Sequence, residues 1–341
     1  MPLSFDRCNG EIDDLIDLLM RKAEVYHPDM IREMIIGALK SGQENDYLAD
    51  QKLMRTTMKE MRYTNKIFSP YRNRKKVTVF GSARTSADEP IYKTCVEFCR
   101  LLVEHNYMVI TGGGPGIMRA GNEGAGVENS FAVNIRLPFE QDTNPVMNQD
   151  KKVITYKYFF NRKVAFLKEA AAVVMFPGGF GTLDETMEIM TLIQTGKNPP
   201  IPVVMIDDDG GYWEDWLDFL RGSLLKRGLI SGADFSLFSI TRDPAEAVQV
   251  IDDFYRNYHS LRFVGNKLVI RLNKPLDSDH LNILTGEFGE ILVPGGKISL
   301  SSPLPEEYDQ PDLKHLPRLT LEFDRRSYGL LKSFIRRINS F

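Results

Sequence analysis

Three short segments of this chain pair glycine with residues that handle anions. They are Phe80-Gly81-Ser82-Ala83-Arg84, Thr111-Gly112-Gly113-Gly114-Pro115-Gly116 and Phe176-Pro177-Gly178-Gly179-Phe180-Gly181-Thr182. Glycine serves where backbone must approach a ligand or take positive φ. Each segment leads into residues that read as a helix, whose first amides and dipole favour an anion. Turns of this kind, if they converge, suit a phosphate. Just beyond the third stands Glu185, a carboxylate able to act on whatever the phosphate carries. A basic pair, Arg162-Lys163, sits among Tyr158, Phe159, Phe160, Val164, Ala165, Phe166 and Leu167. An arginine in so apolar a stretch calls for an acid or an anion.

Plainer readings of the same residues exist. Thr182 and Glu185 have the Thr-x-x-Glu spacing of a capping box, which predicts a helix running from there to Gly196, with Pro199 as a stop beyond it. Glu185 would then only bond back to the Thr182 amide. Arg162-Lys163 would be a solvated helix face. A dinucleotide site fits poorly, because Gly114-Pro115-Gly116-Ile117-Met118-Arg119 lacks the last glycine and Phe131 to Asn134 ends on no acidic residue. No Gly-x-x-x-x-Gly-Lys-Ser/Thr occurs, which excludes a nucleoside-triphosphatase loop. His27, His105, His259, His280 and His315 are scattered without metal spacing, so no metal is expected. Three cysteines, with Cys95 and Cys99 four apart in a predicted helix, read as reduced thiols.

The elements that must position these residues follow from the pattern. Residues 1–75 read as a helical region: Ile12, Leu15, Ile16, Leu19 and Met20 keep helical spacing, as do Ile31, Met34, Ile35 and Leu39, and a third segment ends at Ser69-Pro70. From 76 to 259 short apolar runs alternate with helical lengths. The runs are Val77 to Phe80, Tyr107 to Thr111, Phe131 to Ile135, Ala172 to Phe176, Pro202 to Ile206 and, more weakly, Ser236 to Ile240; helices are predicted over Ile91 to His105, Tyr156 to Ala170 and Trp213 to Arg227. Fully apolar strands between helices mean a parallel sheet covered on both faces. The fold class is therefore α/β, a doubly wound, Rossmann-like sheet. Residues 260–341 form a small α+β unit, with strands over Lys267 to Leu272, Lys297 to Leu300 and Arg318 to Phe323, and helices over Asp277 to Ile291 and Arg326 to Ile338. Ligands of such sheets bind beyond the carboxyl ends of the strands, where the glycine segments fall.

The chain has 341 residues, 43% of them hydrophobic, enough for one large core with smaller units attached. Its net charge of −3 and pI near 6.0 argue against broad binding of nucleic acid. Only Tyr71-Arg72-Asn73-Arg74-Lys75-Lys76 is locally basic, and it reads as a solvated linker. A mean hydropathy of −0.26 and the lack of a long apolar run predict no membrane span, and the polar start predicts no signal peptide. A cytoplasmic location is expected.

Taken together, Gly112 to Met118, Arg162-Lys163 and Pro177 to Glu185 resemble the LONELY GUY (LOG) family of phosphoribohydrolases, also labelled "lysine decarboxylase-like". Its marks are Gly-Gly-Gly-x-Gly-x-Met, an Arg-Lys pair and Pro-Gly-Gly-x-Gly-Thr-x-x-Glu; order and spacing match over roughly residues 76–225. The resemblance implies hydrolysis of an AMP-like nucleoside 5′-monophosphate to free base and ribose 5-phosphate, without a cofactor. It also implies a homodimer or larger assembly whose site lies near the subunit interface. By position, Arg162 and Glu185 would be catalytic. Gly178, Gly179, Phe180, Gly181 and Thr182 would bind phosphate and ribose, and Lys163 and Thr191 would line the site. Ser82, Gly113, Gly114, Gly116 and Met118 complete the expected contacts. Phe159-Phe160-Asn161-Arg162-Lys163 departs from the plant pattern Met-His-x-Arg-Lys. With Leu137-Pro138-Phe139-Glu140 and Asn144 it resembles a longer bacterial branch, adding Glu140 and Asn144 to the expected contacts. That branch favours common purine or pyrimidine monophosphates over cytokinin nucleotides.

Glycosidic cleavage passes through an oxocarbenium-like sugar, which a carboxylate under the anomeric carbon stabilises. Glu185 suits that part, as base or as nucleophile, while Arg162 would order it or stabilise the departing base. A non-catalytic carrier or sensor of a phosphorylated ligand, such as a nucleotide or molybdenum cofactor, is the competing reading. A pyridoxal phosphate decarboxylase would need a Schiff-base lysine and an acidic partner for the ring nitrogen, and neither is marked.

Overall fold

The computed structural model describes residues 2–137 and 143–341. The chain divides into two compact units, Met1–Asn65 and Lys66–Phe341. In the first, α1 (Glu11–Ala23) and α2 (Pro28–Glu44) enclose Leu3, Ile16, Met20 and Ile36. Arg32 is buried there and donates to Asp13 at 2.5 Å and to the Phe5 carbonyl at 2.6 Å. Helix α3 (Leu48–Phe68) runs on into the second unit.

The second unit holds two sheets. The larger has the order β4-β3-β2-β1-β5-β6-β7, and all its pairings are parallel. Its strands are β1 (Lys76–Phe80), β2 (Met108–Thr111), β3 (Ser130–Ile135), β4 (Val153–Tyr156), β5 (Ala172–Met175), β6 (Val203–Ile206) and β7 (Ser239–Thr241). Strands β1, β2, β5 and β6 are buried on both faces, which their unbroken apolar runs require. Helices α4 (Pro90–Glu104), α5 (Ile117–Ala125) and α9 (Pro244–Phe254) cover one face over Val77, Val79, Val109 and Val174. Helices α6 (Phe159–Glu169), α7 (Phe180–Gln194) and α8 (Tyr212–Phe219) cover the other over Met108, Ile110, Val173 and Met175. The sheet is thus doubly wound, as the alternation predicts. Strand order reverses between β1 and β5, which opens a crevice at their carboxyl ends.

Three elements differ from the sequence pattern. Strand β4 escapes it because an edge strand alternates burial, here in a short Val-Ile-Thr-Tyr run. Helix α8 ends at Phe219 and continues as a π turn over Leu220–Leu224, with Gly222 and Ser223 in it, not as one helix to Arg227. In the smaller antiparallel sheet, β10-β11-β9-β8, the strands β9 (Lys267–Leu272), β10 (Ile298–Ser301) and β11 (Arg318–Leu321) lie where expected. The unpredicted β8 (Tyr258–Val264) pairs with β9, its central residues only half-buried. Helices α10 (Ser278–Phe288) and α11 (Tyr328–Asn339) pack on this sheet around Leu284, Leu331, Phe334 and Ile335. Among the described residues no helix is long and apolar enough to cross a membrane.

A buried charge cluster pins residues 303–317 onto the small sheet. Glu307, 1% exposed, accepts from Arg271 Nη2 at 2.6 Å and from Arg318 Nε at 2.9 Å. Burial alone would raise this carboxyl, but bonds from Arg318, the Leu304 amide and Arg271 hold it down at about 2. A depressed carboxyl adds stability above its unfolded value of about 4.3, and loses it as pH falls toward 2. Glu307→Gln, which strands two buried guanidinium groups, is expected to lower unfolding stability by about 3 kcal/mol at pH 7. Urea denaturation should show that deficit shrinking below pH 4.

Candidate functional site

The three glycine segments meet at the crevice between β1 and β5. Ser82 joins them: its amide donates to the Pro177 carbonyl at 3.0 Å, and its own carbonyl accepts from the Ile117 amide at 2.9 Å. This contact leaves no room for side chains at two positions. A Cβ at Gly116, whose φ is +64°, would lie 2.2 Å from Ser82 O, and one at Gly178 would lie 2.1 Å from Thr182 Oγ1. Gly116 also caps α5, as Gly179 caps α7. Tyr212 holds the third turn from behind, its hydroxyl donating to Gly178 O at 2.6 Å. The amides of Phe180 and Gly181 open α7 and so have no partner one turn back.

The result is a cleft of about 810 Å³. Ser82, Gly114, Met118, Arg162, Gly178, Gly179, Phe180, Gly181, Thr182 and Glu185 line it. Other expected contacts lie elsewhere. Gly113 turns back against Ala132, and Gly112 lines the cleft in its place; a Cβ there would sit 2.6 Å from Arg162 Nη2. Asn144 is buried behind the second turn, donating from its amide group to Gly114 O at 3.2 Å and Asn122 Oδ1 at 2.9 Å. Its backbone amide donates to Gly113 O at 2.8 Å. Thr191 is further along α7, its hydroxyl bonded to Met187 O, beside a separate apolar hollow. Glu140 falls outside the described residues.

Glu185 is not a helix cap. Helix α7 begins at Phe180, not Thr182, because the turn at Gly179 already supplies the capping geometry, and the Thr182 amide bonds to Gly179 O at 3.0 Å. Glu185 therefore lies in the second turn, 9% exposed, on the cleft wall. Burial pushes its carboxyl up to about 7, against the opposing pull of Lys163 and Arg162. Lys163 does not line the cleft. It is gripped by Glu188 at 2.6 Å and Asp184 at 2.9 Å, and stands 3.7 Å from Glu185. Burial lowers Lys163, but its bonds to Glu188 and Asp184 outweigh that and raise it. Arg162, in the first turns of α6, donates from Nε to Val133 O at 3.0 Å and packs over the Phe166 ring. Burial lowers this guanidinium while Glu185 supports it; it remains a cation. A cation and a buried carboxyl raised toward neutrality thus share one cleft wall.

Sequence reasoning passed over several residues of this site. Arg84 and Asn134 line the cleft, and Thr111 and Asn122 hold the second turn through a bond of 2.8 Å. A signal for Asn122 exists: it is a polar residue on the buried face of α5, beside Ile117, Ala120, Gly121 and Ala125. Nothing local marks Tyr212, which reaches its partner from 34 residues away.

A doubly wound domain with converging glycine turns and a buried carboxylate and arginine in one cleft is the class these features define. Residues 113–251 match the family model described as "Possible lysine decarboxylase". A cytokinin riboside 5′-monophosphate phosphoribohydrolase of Arabidopsis thaliana is 21% identical over 53% of this chain and 84% of its own. A probable enzyme of that description from Oryza sativa is 25% identical over 50% and 73%. The α/β domain is thus similar in sequence to phosphoribohydrolases of the LOG family. Among solved structures, a molybdenum cofactor carrier protein of Chlamydomonas reinhardtii matches at 17% identity, 52% of this chain and 96% of that one, with a TM-score of 0.37. DNA processing protein A of Helicobacter pylori matches at 15%, 53% and 83%, with a TM-score of 0.36.

The burial of Glu185 has a cost that a neutral isostere avoids. A carboxyl raised by folding costs nothing below its unfolded value of about 4.3, costs progressively more as pH rises from there, and carries its full cost above its native value of about 7. Glu185→Gln is therefore expected to unfold at higher denaturant than the parent at pH 8, the gain vanishing near pH 4. Equal midpoints at pH 8 would contradict the buried, raised carboxyl.

Proposed function

We propose that this protein hydrolyses the N-glycosidic bond of a nucleoside 5′-monophosphate, releasing base and ribose 5-phosphate. The observation that carries this is Glu185: a buried carboxylate on the wall of an anion-suited cleft, free of any capping duty and facing the same space as Arg162. In this reading the α7 amides, Thr182 and Ser82 hold the phosphate. The ribose then extends along α7 toward Glu185. As the bond breaks, positive charge gathers on the sugar, and a fixed carboxylate in a water-poor site stabilises it by several kcal/mol. Glu185 also accepts a proton from the attacking water, a task its value of about 7 suits near neutral pH. Arg162 orients Glu185 and meets negative charge on the departing base. Lys163, tied to Asp184 and Glu188, acts by positioning and not by contact with substrate. Exposed Phe159 and Phe180, the latter 93% exposed, line the cleft, and with exposed Phe160 and Val164 on α6 they support a homodimer or larger assembly.

Glu185→Gln is expected to reduce kcat/KM for AMP by roughly 100-fold or more. The parent's kcat/KM should fall tenfold per pH unit below about 7, where Glu185 takes up its proton, and the variant should lack that limb.

A panel of nucleoside 5′-monophosphates and their nucleosides, with free base measured, tests the phosphate cradle. Release from the monophosphates alone is expected. Equal release from nucleosides would remove the cradle from the mechanism, and tight binding without release would identify a carrier.

A further inference from the structure

At the opposite, amino-terminal edge of the large sheet lies a second hollow of about 330 Å³. It opens where β6 and β7 begin, between the end of α9 and the outer face of α11. Its volume falls within the roughly 300–1,000 Å³ of small-molecule sites. Pro202, Val250 and Phe254 give it apolar wall, and its charged residues are Lys332, Arg336, Arg256 and Asp253.

The charges do not balance. Asp253 pairs with Arg256 one turn away, so that couple is neutral. Lys332 is 1% exposed, its ammonium held among the described residues by the Leu237 carbonyl at 2.6 Å. Arg336, one turn further along α11, reaches Ser239 Oγ at 3.0 Å. Neither Lys332 nor Arg336 pairs with a carboxylate among the described residues, and Arg336 opposes the charge on Lys332. Burial, and then Arg336, hold Lys332 well below the ordinary lysine range. Lysine is seldom fully buried without a counter-charge. A surface lysine would serve α11 better unless something anionic belongs here.

We infer that this hollow binds a small organic phosphomonoester, its dianionic head between Lys332 and Arg336 and its carbon part against Phe254 and Val250. A dianion compensates both unpaired cations, whereas a carboxylate would answer only one. Ser239 adds a hydroxyl at the same point, and Asn339 lines the hollow with its polar atoms already spent on Asn257, Tyr258 and Phe254. None of these residues belongs to the cleft at the carboxyl edge, so the inference stands whether or not that cleft hydrolyses nucleotides.

Calorimetric titration of the full chain with glycerol 3-phosphate, against glycerate as a carboxylate of the same carbon skeleton, tests it. The parent is expected to show a phosphomonoester site that Arg336→Gln weakens tenfold or more. Arg336 is on the surface, and its variant should keep the parent's unfolding midpoint. Lys332→Met, of similar volume, should lose the same component, and glycerate should bind at least tenfold more weakly. Any binding in the carboxyl-edge cleft would persist in both variants, which separates the two sites. Identical isotherms for the parent and Arg336→Gln, no heat from the parent at millimolar glycerol 3-phosphate, or equal binding of glycerate would each overturn the assignment.

Discussion

Ser82 is the point on which the candidate active site turns. Its amide and carbonyl bind the loops after β5 and before α5 to the loop after β1, so three chain segments share one small volume. That closeness makes Gly116 and Gly178 obligatory, because a single Cβ at either would collide with backbone or with Thr182. The crevice exists because strand order reverses between β1 and β5, which sends their loops to opposite sides. Topology opens the space, and glycine lets the backbone close around it.

Electrostatics then distinguishes the wall of this cleft from an ordinary helix face. Three carboxylates crowd the start of α7: Asp184, Glu185 and Glu188. Lys163 takes up the outer two directly, leaving Glu185 inward, partly compensated by Lys163 at 3.7 Å and by Arg162. Burial prevails for Glu185, and the carboxyl rises. The small antiparallel sheet shows the contrary case. Glu307 is as deeply buried, yet two guanidinium groups and an amide reach it directly, and it falls. Direct hydrogen bonds to the charged form, not burial alone, decide the direction. The first arrangement suits proton transfer near neutrality, the second only holds a loop.

Much was legible from residue order. Unbroken apolar runs such as Val77 to Phe80 and Ala172 to Phe176 need a sheet buried on both faces, and glycine followed by helix marks the anion-suited turns. Those are local properties, carried by side-chain type and spacing. The half-exposed β4 and β8 were not legible, because a strand buried on one face with few residues resembles a loop.

What only the tertiary structure decided is which side chain meets which. The Thr-x-x-Glu spacing offered Glu185 two roles, and Gly179, by capping α7 three residues earlier than that spacing implies, removed one. Gly112 rather than Gly113 faces Arg162, Asn144 braces a turn from behind, and Thr191 faces another hollow; each depends on where a helix begins or how a turn rotates. Lys332 gives no sequence signal either, being one lysine in a plausible amphipathic helix, until α11 is laid against the turn that precedes β7. Sequence sets periodicity and backbone freedom, which act over a few residues. Burial and charge pairing act across the fold, so only the folded chain determines them.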